Sequence, residues 1–339
     1  MGVPLLPLLM LLPALFAVSV PLQAQGRFRL VAYNCENLFD TVHDKGKDDL
    51  AFVPASVRKW NSMKYWRKLK QVSKAVMAAG EGLLPDIVAL CEVENDSCLH
   101  DLTKRSPLRR AGYEYVMTDS PDRRGIDVAL LYQPGTFRLL ACNKFRIPLA
   151  LKKQRPTRDV LHVTGLVRTM DTLDVFVCHF PSRAGGRKSS EPFRRHVAAF
   201  VREKADSVVA RRKLPRVVLT GDFNDEPLDF SLQVFSDGYR LLTGDTIRGS
   251  FHPREVKGSY YYKGRWNRLD HIMVNASFYE LRSGFRLLNP VRGRIHDFPF
   301  LLEENKAYGA FVPFSFYKGL RYNGGYSDHL PVSVDFVYE

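Results

Sequence analysis

Short apolar runs recur along this chain, and several are apolar at nearly every position, which limits it to a layered fold. They fall at 27-RFRLVAYN-34, 86-DIVALCE-92, 125-GIDVALLY-132, 160-VLHVTGLVR-168, 173-LDVFVCHF-180, 216-RVVLTGD-222, 269-LDHIMV-274 and 330-LPVSVDFVY-338. A strand with one wet face alternates apolar and polar residues, whereas a continuously apolar strand is covered on both faces. Two stretches of helical period lie between the runs. In 62–80, Trp66, Leu69, Val72 and Val76 form one stripe, Arg67, Lys68, Lys70 and Lys74 fall mostly elsewhere, and Gly80 is a candidate C-terminal cap. In 190–213, Ser190 is a candidate N-cap, and Phe193, Val197, Phe200, Val201, Ala205 and Val208 form the stripe. Strands and helices alternate over the whole length, which predicts α/β layers around one core. The segment 284–326, rich in Gly, Pro and aromatics, reads as long irregular loops bordering a site.

The first 25 residues stand apart. They are apolar, interrupted by Pro4, Pro7, Pro13 and Pro21, and no charge appears before Arg27. This predicts a signal peptide over 1–25 and a domain over 26–339 that is exported to the periplasm or secreted; a monomer is expected. A membrane anchor is the alternative for the segment, but its prolines and length disfavour a stable span, so none is expected in the mature chain. The five cysteines cannot all pair within the chain, and no Cys-x-x-Cys or Cys/His spacing suggests zinc. They read as small buried hydrophobes, with a Cys98–Cys142 pair left open. The net charge of +14 favours polyanionic partners, nucleic acid or an anionic membrane surface.

Polar residues collect where the runs end. Asn34 closes the first and Glu92 the second; His179 ends 174-DVFVCHFPSR-183, and Asp222 and Asn224 end 218-VLTGDFNDEP-227. Asp270 lies in 266-WNRLDHIMV-274, and Asp328 with His329 precedes the last run. One such residue is a strand-end cap. A whole set of buried polar ends is costly unless it performs chemistry. Oxygen donors such as Glu92, with Asn34 beside it, suit Mg²⁺ or Mn²⁺. Glu94, two residues on, is a second candidate if the chain stays extended. By the same spacing Asp222 and Asn224 would share one side of a strand. Histidine at position 329 suits acid–base work or polarisation of a phosphoryl oxygen, with Asp270 fixing its tautomer. Arg124 and Arg183, each near a glycine, are candidate phosphate ligands.

In these motifs and their order, 91-CEVE-94, 221-GDFN-224, 268-RLDHI-272 and 327-SDH-329, the chain resembles the endonuclease/exonuclease/phosphatase superfamily over residues 27–339. The resemblance implies a four-layer α/β sandwich, two mixed sheets packed face to face and flanked by helices. It implies metal ligands Asn34 and Glu92 with Asp328 joining them, and catalytic residues His179, Asp222, Asn224, Asp270 and His329. Two departures bear on substrate. Cys91 stands where glutamine is usual, and 264-GRWNRLDHI-272 lacks the Cys-Asp-Arg run of inositol phosphatases. The expected activity is Mg²⁺-dependent phosphodiester hydrolysis on DNA or RNA. A phosphatase, or a lipid phosphodiesterase of phosphoinositide or sphingomyelin type, is the alternative. A non-catalytic polyanion-binding protein would need none of Glu92, Asp222 and His329.

Overall fold

The computed structural model describes residues 26–338 apart from 153, 245–246, 253–254, 281–283 and 292; the expected signal peptide lies outside the described residues. Two mixed sheets carry the fold. The first runs in the order β13-β19-β1-β2-β4-β3, from Arg286–Leu287 (β13), Val332–Tyr338 (β19), Gly26–Leu38 (β1), Ile87–Val93 (β2), Asp127–Tyr132 (β4) and Glu114–Met117 (β3), with Arg294–Ile295 (β14) also pairing β19. The second runs β5-β6-β7-β8-β12-β9, from Phe137–Phe145 (β5), Val160–Val167 (β6), Thr172–His179 (β7), Val217–Asp222 (β8), Asp270–Asn275 (β12) and Tyr239–Leu241 (β9). Three hairpins complete the set: Tyr260–Tyr262 (β10) with Arg265–Asn267 (β11), Leu302–Asn305 (β15) with Ala310–Pro313 (β16), and Tyr317–Lys318 (β17) with Arg321–Tyr322 (β18).

Each sheet has one parallel pair, β1 with β2 and β7 with β8, and antiparallel neighbours outside it. A parallel pair needs a crossover, and here both crossovers carry a helix, Ser62–Ala79 (α1) and Arg187–Arg211 (α3). The continuous apolar runs follow from this. In β7, Val175 and Val177 join the core between the sheets while Phe176 and Cys178 pack under α3; in β8, Val218 faces inward and Val217 and Leu219 face α3. The layers are therefore helix, sheet, sheet, helix. Two short helices, Asp96–His100 (α2) and Phe230–Gln233 (α4), lie in the connections.

The helices depart from the expected boundaries in instructive ways. The α1 N-terminus is capped by Asn61, whose side chain accepts the Lys64 N–H, a contact worth about 1 kcal/mol. Gly80 does end the helix, but with φ −74° rather than a left-handed turn. A Cβ there would sit 1.7 Å from the Leu83 carbonyl oxygen, so it is close approach that requires glycine. Helix α3 begins one turn before Ser190, with Gly186 as N-cap, and Ser190 Oγ donates back to the Gly186 carbonyl at 2.6 Å. Lys68, expected with the other basic residues away from the apolar stripe of α1, is fully buried. All five cysteines are free: Cys35, Cys91, Cys98 and Cys178 are buried, and Cys142 lies exposed on β5, so Cys98 and Cys142 do not pair. Segment 284–326 holds β13–β18 rather than only irregular loops. No helix among the described residues is long and apolar enough to cross a membrane.

Candidate active site

The carboxyl ends of the two parallel pairs meet where the sheets face each other, and the polar strand ends collect there. Open α/β sheets commonly bind ligands at this end of their strands. The backbone leaves the strands by left-handed turns, with φ +62° at Glu92, +50° and +59° at Glu36 and Asn37, and +52° at Asn224. Such values are uncommon outside glycine and persist where surrounding structure enforces them. They also overturn two expectations drawn from extended spacing. Glu94 does not share the face of Glu92: it is buried elsewhere, accepts the Asp40 N–H at 2.7 Å and lies near Asp44 and Asp49. Asn224 does not lie alongside Asp222 on a strand. Its N–H donates to Asp222 Oδ1 at 2.8 Å, and its side-chain amide donates to the Phe180 carbonyl at 3.0 Å.

Asp222 is the hub. In the second sheet it pairs with His179 on one side and Asp270 on the other, so the three side chains share the face towards the first sheet. Asn34 Nδ2 donates to Asp222 Oδ2 at 3.0 Å, while His179 Nε2 and His329 Nε2 lie 3.7 Å and 3.9 Å from the same oxygen. His329 arrives on the loop before β19. Its N–H donates to Ser327 Oγ at 3.1 Å, and Ser327 Oγ in turn donates to the Asn34 carbonyl at 2.7 Å. Asp270 Oδ2 meets His329 Nδ1 at 2.7 Å and accepts from Ser259 Oγ at 2.6 Å. A cleft of ≈ 640 Å³ opens over this group. Apart from Glu94, every expected site residue lines it except Asp270, which sits behind His329.

The surroundings shift the two histidines in opposite directions. Burial lowers the His329 pKa, but Asp270, then Asp222 and Asp328, overcome it and raise it well above the usual value. Burial lowers that of His179 well below the usual value, helped by the charges of Arg158, Arg124 and His329. Burial pushes Asp222 up to about 7, with His329 opposing and Asp270 adding to the rise.

Arg124 and Arg183 differ in what they can still do. Arg124 reaches Glu92 at 3.5 Å across the cleft and is partly exposed. Arg183 uses Nε on the Asn224 carbonyl at 2.6 Å, Nη1 on Asn267 Oδ1 at 3.1 Å and Nη2 on Asp229 at 3.1 Å, so it braces the loop beyond β8. Asp225 in that loop pairs at 2.6 Å with Arg194, and both are buried.

A profile of the Endonuclease/Exonuclease/phosphatase family matches residues 29–337. The chain belongs to the endonuclease/exonuclease/phosphatase family. Members are phosphoester hydrolases, and the two-sheet sandwich above is the family fold. No curated protein sequence matches this family member significantly. Among solved structures it is similar to a family protein of Bacteroides thetaiotaomicron, at 18% identity and TM-score 0.58 over 93% of this chain and 99% of that one. It is similar to a mannosyl-6-phosphatase of the same species, at 21% identity and TM-score 0.58 over 92% and 100%. The human nocturnin catalytic domain with a bound sulfate anion is a third, at 17% identity and TM-score 0.54 over 91% and 94%. At these identities the likeness speaks to fold alone.

The donor set fits a divalent cation. Glu92, Asp328 and the Asn34 amide line one cleft, and all offer oxygen. The Asn34 oxygen accepts the Glu36 N–H at 2.9 Å and keeps a second lone pair. Burial raises the Asp328 pKa, with His329 opposing and Glu92 adding repulsion, a crowding that a hard cation relieves. Asp222, Asp270 and His329 also have one donor atom each within 4.8 Å of one another.

Several residues outside the strand-end motifs also serve this site. Tyr260, Tyr262, Asn267 and Arg187 line the cleft, and Tyr260 packs against the His329 ring at 4.7 Å. Lys68 Nζ donates to the Tyr326 carbonyl at 2.6 Å, and its charge acts on Glu36, Asp328 and Glu92. One signal was available: Lys68 sits four residues before Val72 and three after Tyr65, on the apolar stripe of α1.

Proposed function

We propose that the protein is a Mg²⁺-dependent phosphodiester hydrolase cleaving nucleic acid, exported by the uncharged apolar segment at residues 1–25. The observation that carries the reading is Asp222, a buried carboxylate bonded to Asn34 at 3.0 Å and flanked by His179 Nε2 at 3.7 Å and His329 Nε2 at 3.9 Å. Asp222 is the group positioned to accept a proton from the attacking water. The water oxygen bonds phosphorus, the bond to the leaving oxygen breaks, and that oxygen needs a proton. His329, held charged by Asp270, supplies a donor to the phosphoryl or leaving oxygen. His179, held neutral, donates one N–H to the phosphoryl group, as does Asn224 if its amide turns from Phe180. Asn34, Glu92 and Asp328 would hold the Mg²⁺ (or Mn²⁺). Such an ion, when bound, offsets charge on the phosphoryl oxygens. The net charge of +14 and the arginines at the cleft rim favour a polyanion over a neutral headgroup.

The test is a substrate panel: the purified protein with Mg²⁺ or with EDTA, against plasmid DNA, RNA, sphingomyelin, phosphoinositides and a sugar phosphate. Cleavage of DNA or RNA that EDTA abolishes is expected. Turnover confined to the sugar phosphate or to a lipid would replace the nuclease reading.

A further inference from the structure

A second cleft, of ≈ 770 Å³, lies beside the first, and the two share Arg124, Ser182 and Ala184. A substrate seated at Asp222 and passing Arg124 therefore enters it directly. Its charge is one-sided. Arg123, Arg124, Arg155 and Arg158 line it against two carboxylates, Asp48 and Asp122. Asp122 is occupied by Arg158 at 3.2 Å, and Asp48 meets Arg123 at 3.6 Å between two exposed side chains, a contact that water weakens. Arg155 is exposed and has no ion-pair partner among the described residues.

Two further features suit an anion. The first turn of the 25-residue helix α3 borders the cleft through Ser189 and Ser190, and its N-cap, Gly186, offers no side chain to the free N–H groups. That end of a long helix carries partial positive charge. Thr157 and Arg158, both lining the cleft, hold buried polar atoms, Oγ1 and Nε, with no hydrogen-bond partner among the described residues. Arg158 is itself fixed, donating to the Phe180 carbonyl at 2.5 Å next to the catalytic strand end.

We propose that this cleft is a second phosphate subsite, taking the phosphate adjacent to the scissile one, so that the substrates are oligonucleotides rather than isolated phosphodiesters. The proposal rests on the nuclease reading above. Guanidinium groups pair with phosphate oxygens two bonds at a time, which makes an arginine-lined cleft selective for phosphate over a neutral sugar or base. Arg124, bordering both clefts, would sit between the two phosphates.

The test compares kcat/KM on three dinucleotides: one with no terminal phosphate, one with a 5′ and one with a 3′ terminal phosphate. The full-length protein is used with Mg²⁺. One of the terminal phosphates should raise kcat/KM about tenfold, the worth of one charge-assisted contact, mainly through KM. Which one does so gives the direction of the chain across the site. In Arg123→Gln/Arg155→Gln the ratio should fall towards one. Both side chains are exposed, and matching thermal melts would exclude misfolding. Equal kcat/KM for all three dinucleotides, or a gain that survives in the double variant, overturns the second subsite and leaves phosphodiester hydrolysis standing. No cleavage of any dinucleotide, DNA or RNA overturns the nuclease reading and the subsite with it.

Discussion

At the residue scale, the pairing of Asp270 with His329 decides what His329 can do. The 2.7 Å contact to Nδ1 leaves Nε2 pointing at the cleft and keeps the ring charged. If Asp270 works only through His329, removing either should cost about the same. His329→Ala should lower turnover by about 10²–10⁴-fold, and Asp270→Asn by a similar factor, with less effect on substrate binding. The double variant should be scarcely slower than His329→Ala, since groups acting as a unit do not add. Multiplying losses in kcat would place Asp270 on metal or substrate instead. Melting curves recorded alongside would separate a folding defect from a catalytic one.

At the element scale, the meeting of β7 and β8 explains a letter of the motif. Gly221 has φ +125°, and a Cβ on it would lie 2.0 Å from the Cys178 carbonyl oxygen on β7. Neither strand can give way without moving His179 or Asp222, the next register pair. Gly221→Ala should therefore cost about 3 kcal/mol or more in denaturant titration and reduce turnover. An unchanged midpoint and rate would show that β7 can yield. A second junction lies at the opposite end of α3. There Arg212 donates from Nε and Nη2 to Asp174 on β7, both at 2.8 Å, and His162 and Thr164 also bond that carboxylate. Burial raises the Asp174 pKa, but these partners outweigh it and hold the group down to about 2. A depressed folded pKa contributes stability above the unfolded value near 3.8 and loses it as pH falls towards about 2. The shift corresponds to about 2 kcal/mol. Asp174→Asn should be less stable than the parent at pH 7, with the gap closing between pH 4 and 2. A gap independent of pH in that window would assign the effect to packing.

At the scale of the whole molecule, the site joins two sheets whose facing sides are largely apolar. Asn34 and Glu92 come from one sheet, and Asp222 and His179 from the other. A cation bound there is linked to the stability of the whole sandwich. At about 100 times its Kd, Mn²⁺ should stabilise the native state by about 2.7 kcal/mol. Glu92→Gln should lose most of that rise in Tm, with calorimetric titration showing the weaker binding. A metal response retained in full by the variant would remove Glu92 from the ligand set.

The sequence alone determined the layered class, because uniformly apolar runs cannot form a one-sided sheet, and the two helical stripes supplied both crossovers. It also determined which residues would cluster. A buried Asn, Glu, His or Asp at a strand end is costly wherever the fold puts it, so Asn34, Glu92, His179, Asp222 and His329 were conspicuous before any contact was known. The tertiary structure decided how they face one another. Left-handed turns at Glu92 and Asn224 break the period of two, sending Glu94 out of the cleft and the Asn224 amide towards Phe180; local spacing carries no sign of them, because neighbours from other strands enforce such φ values. Charge defaults to water, yet Lys68 and Arg194 are both fully buried. Each is buried because a partner far along the chain, the Tyr326 carbonyl or Asp225, is brought within hydrogen-bonding distance of it only when the layers close.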